Sequence, residues 1–157
     1  MSNIKKAPKM VEGLTDKEIQ AIEKFYFAWK DKQPELLDKV CSPNWKDIPL
    51  APGQEDNSKG LQQIMKHLFV LFPDIEIVIH EIMGTHERAA VRASIEFTHS
   101  NEVLGIAPTG KKVSLALHEF HHLKDGKLTH TWHLEDWFGL LVQSGLWQTN
   151  GQEASQQ

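Results

Sequence analysis

Five of the nine histidines in this chain fall within one short stretch: His118, His121, His122, His130 and His133. Glu119, Glu135 and Asp136 stand among them, interleaved with Phe120, Trp132 and Trp137. Imidazole changes charge near neutral pH, with an unperturbed pKa of about 6.5, and a carboxylate held in an apolar setting is driven towards the same range. Such a set suits the movement of protons on and off a small organic molecule. Two other readings stand beside it. Histidine also serves on exposed strand faces and subunit contacts as a flat, half-polar side chain. A metal site would need three or four ligands converging on one point. Glu119, His121 and His133 could supply them, but there is no helical HxxxH pair and only one cysteine, Cys41. No tightly bound metal is expected.

These side chains must be held by a β-hairpin. Lys124-Asp125-Gly126-Lys127 is a turn signal, because glycine after aspartate readily takes positive φ. It pairs Leu115 to Leu123 with Lys127 to Glu135. With a bulge at Gly126, Glu119 and His121 share a face with Thr131, His133 and Glu135. His118, Phe120 and His122 then share the other face with His130 and Trp132. The last strand thus points by turns into an interior, through Thr131, His133 and Glu135, and away from it, through Trp132 and Leu134. Trp45, Phe97, Phe120, Trp132 and Trp137 offer walls for a flat ligand, or simply core. An outer face bearing Phe120 and Trp132 would expose apolar area in a monomer, so a homo-oligomer is expected.

The rest of the chain must supply the frame. Thr15-Asp16-Lys17-Glu18 reads as a capping box opening a helix whose apolar stripe, Ile19, Ile22, Tyr26 and Trp29, runs to about Lys32. Pro34 to Val40 reads as a second helix ended near Ser42-Pro43. A loop from Ala51 to Gly60 precedes a third helix on Leu61, Ile64, Met65, Leu68 and Leu71, closed by Pro73. From Ile75 the period becomes two, giving antiparallel strands with turns at Gly84 to Glu87 and Lys124 to Lys127. Helices followed by a meander give an α+β class.

With 157 residues, 40% hydrophobic and 24% charged, the chain reads as one soluble domain, residues 15–147, between a flexible segment 1–14 and a frayed tail 148–157. No apolar run approaches the roughly 20 residues that cross a bilayer, and the basic N-terminus lacks the apolar core of a secretory signal. No membrane association and a cytoplasmic location are expected. A net charge of −4 with scattered lysines argues against nucleic acid as a partner, leaving a small apolar or aromatic molecule.

Four stretches bear a family likeness: FPDI from Phe72, THSNEVLGIAPTGKKV from Thr98, HHLKDGKL from His121 and WHLEDWFGLLVQSG from Trp132. Together they resemble the SnoaL-like polyketide (ester) cyclases, over about Thr15 to Gly145. The most specific parts are the LGIxPTG loop and the W-x-x-x-D-x-x-G-L-x-x-Q-x-G ending. The resemblance implies the NTF2-like fold, a strongly curved antiparallel sheet wrapped around helices to form a cone with a deep pocket. It also implies an intramolecular aldol ring closure without metal or cofactor, in which an aspartate near the end of the last strand shuttles the proton. That aspartate directly follows the position of Trp132, where this chain has His133. The polar partners of the cyclases fall on Asp47, an asparagine there, on His99, where the histidine is retained, and on Glu119, a histidine there. Asp136 matches the aspartate of the terminal motif and reads either as an anchor for the closing helix or as a catalyst. Trp45, Leu117, His121 and Thr131 complete the expected surroundings. The expected activity is that of a cofactor-independent cyclase, isomerase or hydrolase acting on a small apolar carbonyl compound. His133 would be its base, oriented by Glu119 or Asp47 and turning neutral between about pH 6 and 7, with Glu119 nearby moving that value upward by favouring the imidazolium. The rival reading is a non-catalytic binding module of the same fold.

Overall fold

The computed structural model describes residues 13–147. The segments expected to be flexible lie outside that range, apart from Gly13 and Leu14, and Leu14 packs on the core. Helix α1, Asp16–Lys30, opens with the expected capping box: the Glu18 amide donates to Thr15 Oγ1 and the Thr15 amide donates to Glu18 Oε2. Its apolar stripe buries Ile22, Phe25, Tyr26 and Trp29. The expected second helix is a 3-10 turn, Pro34–Leu36, running into the single turn α2, Leu37–Val40. Helix α3, Ser58–Leu71, begins at Asn57, whose side chain accepts the Gly60 amide.

Five strands form one curved sheet in the order β1-β5-β4-β3-β2. Strands β2, Glu76–Thr85, β3, Arg88–Thr98, β4, Lys112–Lys124, and β5, Lys127–Glu135, make the expected antiparallel meander. Strand β1, Cys41–Ile48, is the departure. The sequence pattern assigns no element there, yet the segment pairs in parallel with β5, so the sheet is mixed. Pro43 lies inside it, where the pairing with β5 slips between Cys41 and Lys46. An edge strand tolerates proline, but proline hides the alternation that marks a strand.

The Asp125-Gly126 turn is the tight two-residue type, with φ of 52° and 76°, which suits aspartate and glycine and few other pairs. The extra residue falls not at Gly126 but at Thr129, since Leu123 faces Leu128 while His122 faces His130. The face assignment is the same as for a bulge at the turn, because one extra residue anywhere between the turn and His130 shifts the register equally. Strand β4 therefore alternates without a break: Val113, Leu115, Leu117, Glu119, His121 and Leu123 face in. Phe120 is 60% exposed on the outer face, where His122, Trp132 and His130 stack edge and face, so Phe120 and Trp132 wall no interior. Among the described residues no helix is long and apolar enough to cross a membrane.

Glu18 ties α1 to the sheet. Almost fully buried, it also accepts the Glu87 amide at 2.9 Å and lies 2.9 Å from His86 Nδ1, at the turn between β2 and β3. Burial pushes its pKa up, but the Thr15 and Glu87 amides outweigh that and hold it below the usual carboxylate value. A lowered carboxylate stabilises the fold above its unfolded pKa, and the contribution is lost as the pH falls. Glu18→Gln is expected to cost about 1–3 kcal/mol at neutral pH, with the gap to the parent closing below about pH 4 in thermal melts.

Candidate active site

The concave side of the sheet, α1, α3 and the loop after β1 enclose a cavity of about 320 Å³. That is the lower end of the range typical of small-molecule sites. Its walls are almost wholly apolar, including Phe25, Trp29, Leu68, Phe97, Leu117 and Trp137. The polar lining side chains are Asp47, Gln54, Glu119, His133 and Glu135.

Each is placed by an element already described. Parallel pairing puts Asp47 beside Thr131, and antiparallel pairing puts Glu119 opposite His133. His133 Nδ1 lies 2.6 Å from Glu135 Oε1, and its Nε2 lies 2.8 Å from the Pro49 carbonyl and 3.4 Å from Asp47 Oδ1. Gln54 accepts the Ala51 amide and donates to Asp47 Oδ2 at 2.6 Å. A carbonyl oxygen and a carboxylate only accept, so both ring nitrogens of His133 must carry protons.

The electrostatics agree with that count. Burial alone would push His133 down, but the Glu135 hydrogen bond and charge, with Asp47 and Glu119 behind them, carry it up to about 9. It is therefore an imidazolium at neutral pH, which corrects the expectation of a base turning neutral between about 6 and 7. Burial raises Glu119 to about 7, although the Tyr26 hydrogen bond and the His133 charge pull it down. Asp47 is also raised by burial, against the Gln54 hydrogen bond and the His133 charge. The group whose protonation is poised near neutral pH is thus Glu119.

Of the other expected site residues, one reaches the cavity. Leu117 lines it. Trp45, His121 and Thr131 are buried behind Glu119, outside the lining. His99 is fully buried at the base of the loop to β4, with Nδ1 3.1 Å from Thr109 Oγ1, its carbonyl accepting the Thr109 and Gly110 amides, and no part in the wall. Asp136 accepts the Gly139 amide at 2.8 Å and caps the closing helix α4, Trp137–Ser144, as an anchor does. Sequence reasoning passed over Tyr26, counted only as core, and Gln54, counted only as loop. The Tyr26 hydroxyl contacts Glu119 Oε2 and lies 2.8 Å from His121 Nε2. The available signal was that Tyr26 is the only tyrosine and lies on a buried stripe, where a phenol needs a partner. Among the described residues no three His, Cys, Asp or Glu side chains are grouped so as to hold a metal ion.

The sequence matches the profile of the SnoaL-like polyketide cyclases over residues 19–144. The chain belongs to that family. No curated protein matches it. Of solved structures, TsrD from Streptomyces laurentii superposes with a TM-score of 0.75 at 21% identity, covering 85% of this chain and 98% of that one. A protein from Bacillus cereus ATCC 10987, provisionally called a polyketide cyclase, gives 0.71 at 25% identity over 93% and 98% of the two chains. AclR from Streptomyces galilaeus, provisionally called a hydroxylase, gives 0.69 at 27% identity over 83% and 97%. The terminal motif of this SnoaL-like chain seats the closing helix. Asp136 caps α4 through Gly139, and a side chain on Gly139 would collide with the Asp136 carboxylate. Leu140 is fully buried, Gln143 bonds both the amide and the carbonyl of Ser114, and Gly145 ends the helix at φ 77°.

The titration of the site is open to test without a substrate. A histidine with a raised pKa stabilises the fold fully below about 6.5 and loses that contribution as the pH climbs through about 9. The melting temperature should fall over that alkaline interval in the parent, and His133→Gln should remove most of the fall.

Proposed function

We propose that this protein is a cofactor-independent enzyme that performs acid-base chemistry on a small apolar carbonyl compound, with Glu119 as the base and His133 as the fixed positive charge. One observation carries the reading: Glu119, a carboxylate buried enough to be raised to about 7, lines a mostly apolar cavity and pairs across the strands with His133. Its proton affinity is matched to neutral pH, the condition under which a general base works best. Family membership supports the reaction class.

In the proposed step, the ionised Glu119 takes a proton from the carbon next to a carbonyl, and the electron pair of that C–H bond becomes an enolate. Negative charge gathers on the carbonyl oxygen, where the His133 imidazolium stabilises it in a low-dielectric pocket. For ring closure, the enolate carbon attacks a second carbonyl of the same molecule, and the alkoxide formed takes the proton back from Glu119. Atoms and electrons balance with no oxidant or reductant. Asp47 and Glu135 hold the imidazolium charged, and Gln54 fixes Asp47. One observation favours the binding-module reading instead: both N–H groups of His133 are already engaged by the protein.

We infer further that a second copy of the chain covers the outer sheet face. Phe120 and Leu134, 60% and 72% exposed, flank the stacked His122, Trp132 and His130 there. Light scattering should then find a dimer or larger assembly, which Phe120→Glu weakens; a concentration-independent monomer would refute this.

For activity, a screen of small diketones able to close a ring should give a pH–rate profile that rises through about 7 as Glu119 ionises and falls near 9 as His133 loses its proton. Glu119→Gln should lower turnover by roughly 10²–10⁴-fold with binding largely intact. His133→Gln should remove the alkaline limb and move the rising limb upward. Full turnover in Glu119→Gln would leave the cavity as a binding site only.

A further inference from the structure

Behind Glu119, on the side away from the cavity, a line of polar side chains crosses the core, one from each of four elements. Tyr26 of α1 bonds Glu119 Oε2 through its hydroxyl, which lies 2.8 Å from Nε2 of His121 on β4. His121 Nδ1 is 3.0 Å from the hydroxyl of Thr131 on β5, and Thr131 Oγ1 is 3.0 Å from the indole nitrogen of Trp45 on β1. All four side chains are 2% exposed or less. They are packed edge to face as well: Phe25 meets Tyr26 at 5.3 Å and His121 at 5.4 Å between ring centres.

The direction of this line follows from what each group is able to do. An indole N–H only donates, so the Thr131 oxygen is an acceptor at the far end. Among the described residues the Thr131 hydroxyl has one other hydrogen-bond partner, His121 Nδ1. If Nδ1 carried the imidazole proton, both neighbours would donate to Thr131 and its own hydroxyl proton would be buried without an acceptor, a defect that folded proteins rarely keep. The proton of His121 therefore sits on Nε2. Burial keeps this ring neutral, well below the usual imidazole range, so the 3.7 Å approach of Nε2 to Glu119 Oε2 is not an ion pair. Nε2–H donates to the Tyr26 oxygen, and the phenol proton is left pointing at Glu119.

We propose that Tyr26 is a positioning residue, locked as a donor by Trp45, Thr131 and His121, which ties Oε2 of Glu119 and leaves Oε1 as the oxygen that exchanges protons with the cavity. This rests on the reading of Glu119 as the proton carrier. A carboxylate with one oxygen bound behind it presents a single oxygen in a single direction, which is the geometry proton transfer rewards. The phenol also sets the working range. Burial, Asp47 and Glu135 push Glu119 up, while Tyr26 and His133 pull it back, so removing the hydroxyl leaves the upward pushes less opposed.

Nuclear magnetic resonance of the full chain with no ligand added tests this directly, with ¹⁵N in the histidine rings and ¹³C in the glutamate carboxyl groups. His121 is expected as the neutral Nε2–H tautomer from about pH 5 to 8, and Glu119 is expected to titrate near 7. In Tyr26→Phe the Glu119 midpoint should rise by about one pH unit or more, the size expected for losing a hydrogen bond to a charged group. In Trp45→Phe the Thr131 oxygen loses its donor, and His121 should become a mixture of tautomers. An Nδ1–H tautomer in the parent would overturn the proposal even if neither variant folds. So would an unmoved Glu119 midpoint in a folded Tyr26→Phe. The functional reading fails separately: full turnover in Glu119→Gln would remove the catalytic role while the ring tautomer and the midpoint stayed as described.

Discussion

The unbroken alternation of β4 is the constraint from which the site follows. A strand whose odd-numbered residues all face inward offers no way to turn one of them out, so Glu119 and His121 stand in the same row as Leu115, Leu117 and Leu123. An ionisable carboxyl placed there must be neutralised, paired or given hydrogen bonds. The fold provides all three in part: a raised proton affinity, an imidazolium across the strand pair, and a phenol from α1. The same burial that makes Glu119 costly to ionise brings its proton affinity near neutral pH, as the proposed acid-base role requires.

The inner and outer faces of the hairpin were legible in the sequence because a turn of fixed chemistry and a period of two leave little freedom. Asp125-Gly126 fixes where the chain reverses, and the grouping of Glu119, His121, Thr131, His133 and Glu135 follows even though the bulge lies at Thr129. What was not legible depended on partners far apart in the chain. Strand β1 carries Pro43 and pairs in parallel with a strand 84 to 87 positions later, so no local pattern announced it. Without β1 no strand pairing carried Asp47 and the Pro49 carbonyl to His133, and only the family resemblance set Asp47 among its partners. Tyr26 was hidden differently. It fits an apolar helix stripe so well that its hydroxyl drew no notice.

The family signature and the polar cluster occupy different layers. The terminal motif of this SnoaL-like chain seats α4, and through it Trp137, on the end of the sheet by a cap, a buried leucine and two backbone bonds from Gln143. The LGIxPTG loop is likewise held from behind, by His99, and delivers Leu104 to the cavity wall. Residues that maintain a shape can persist while the polar groups inside that shape differ.

The β4–β5 hairpin also has a use in engineering. Along its paired strands, neighbouring positions answer to separate compartments: His118, Phe120, His122, His130 and Trp132 outside, Glu119, His121, Thr131 and His133 inside. Two sequence codes are thus interleaved on one ribbon with little overlap. The outer code can be rewritten to weaken or redirect the proposed assembly, while the polar groups of the interior keep their places.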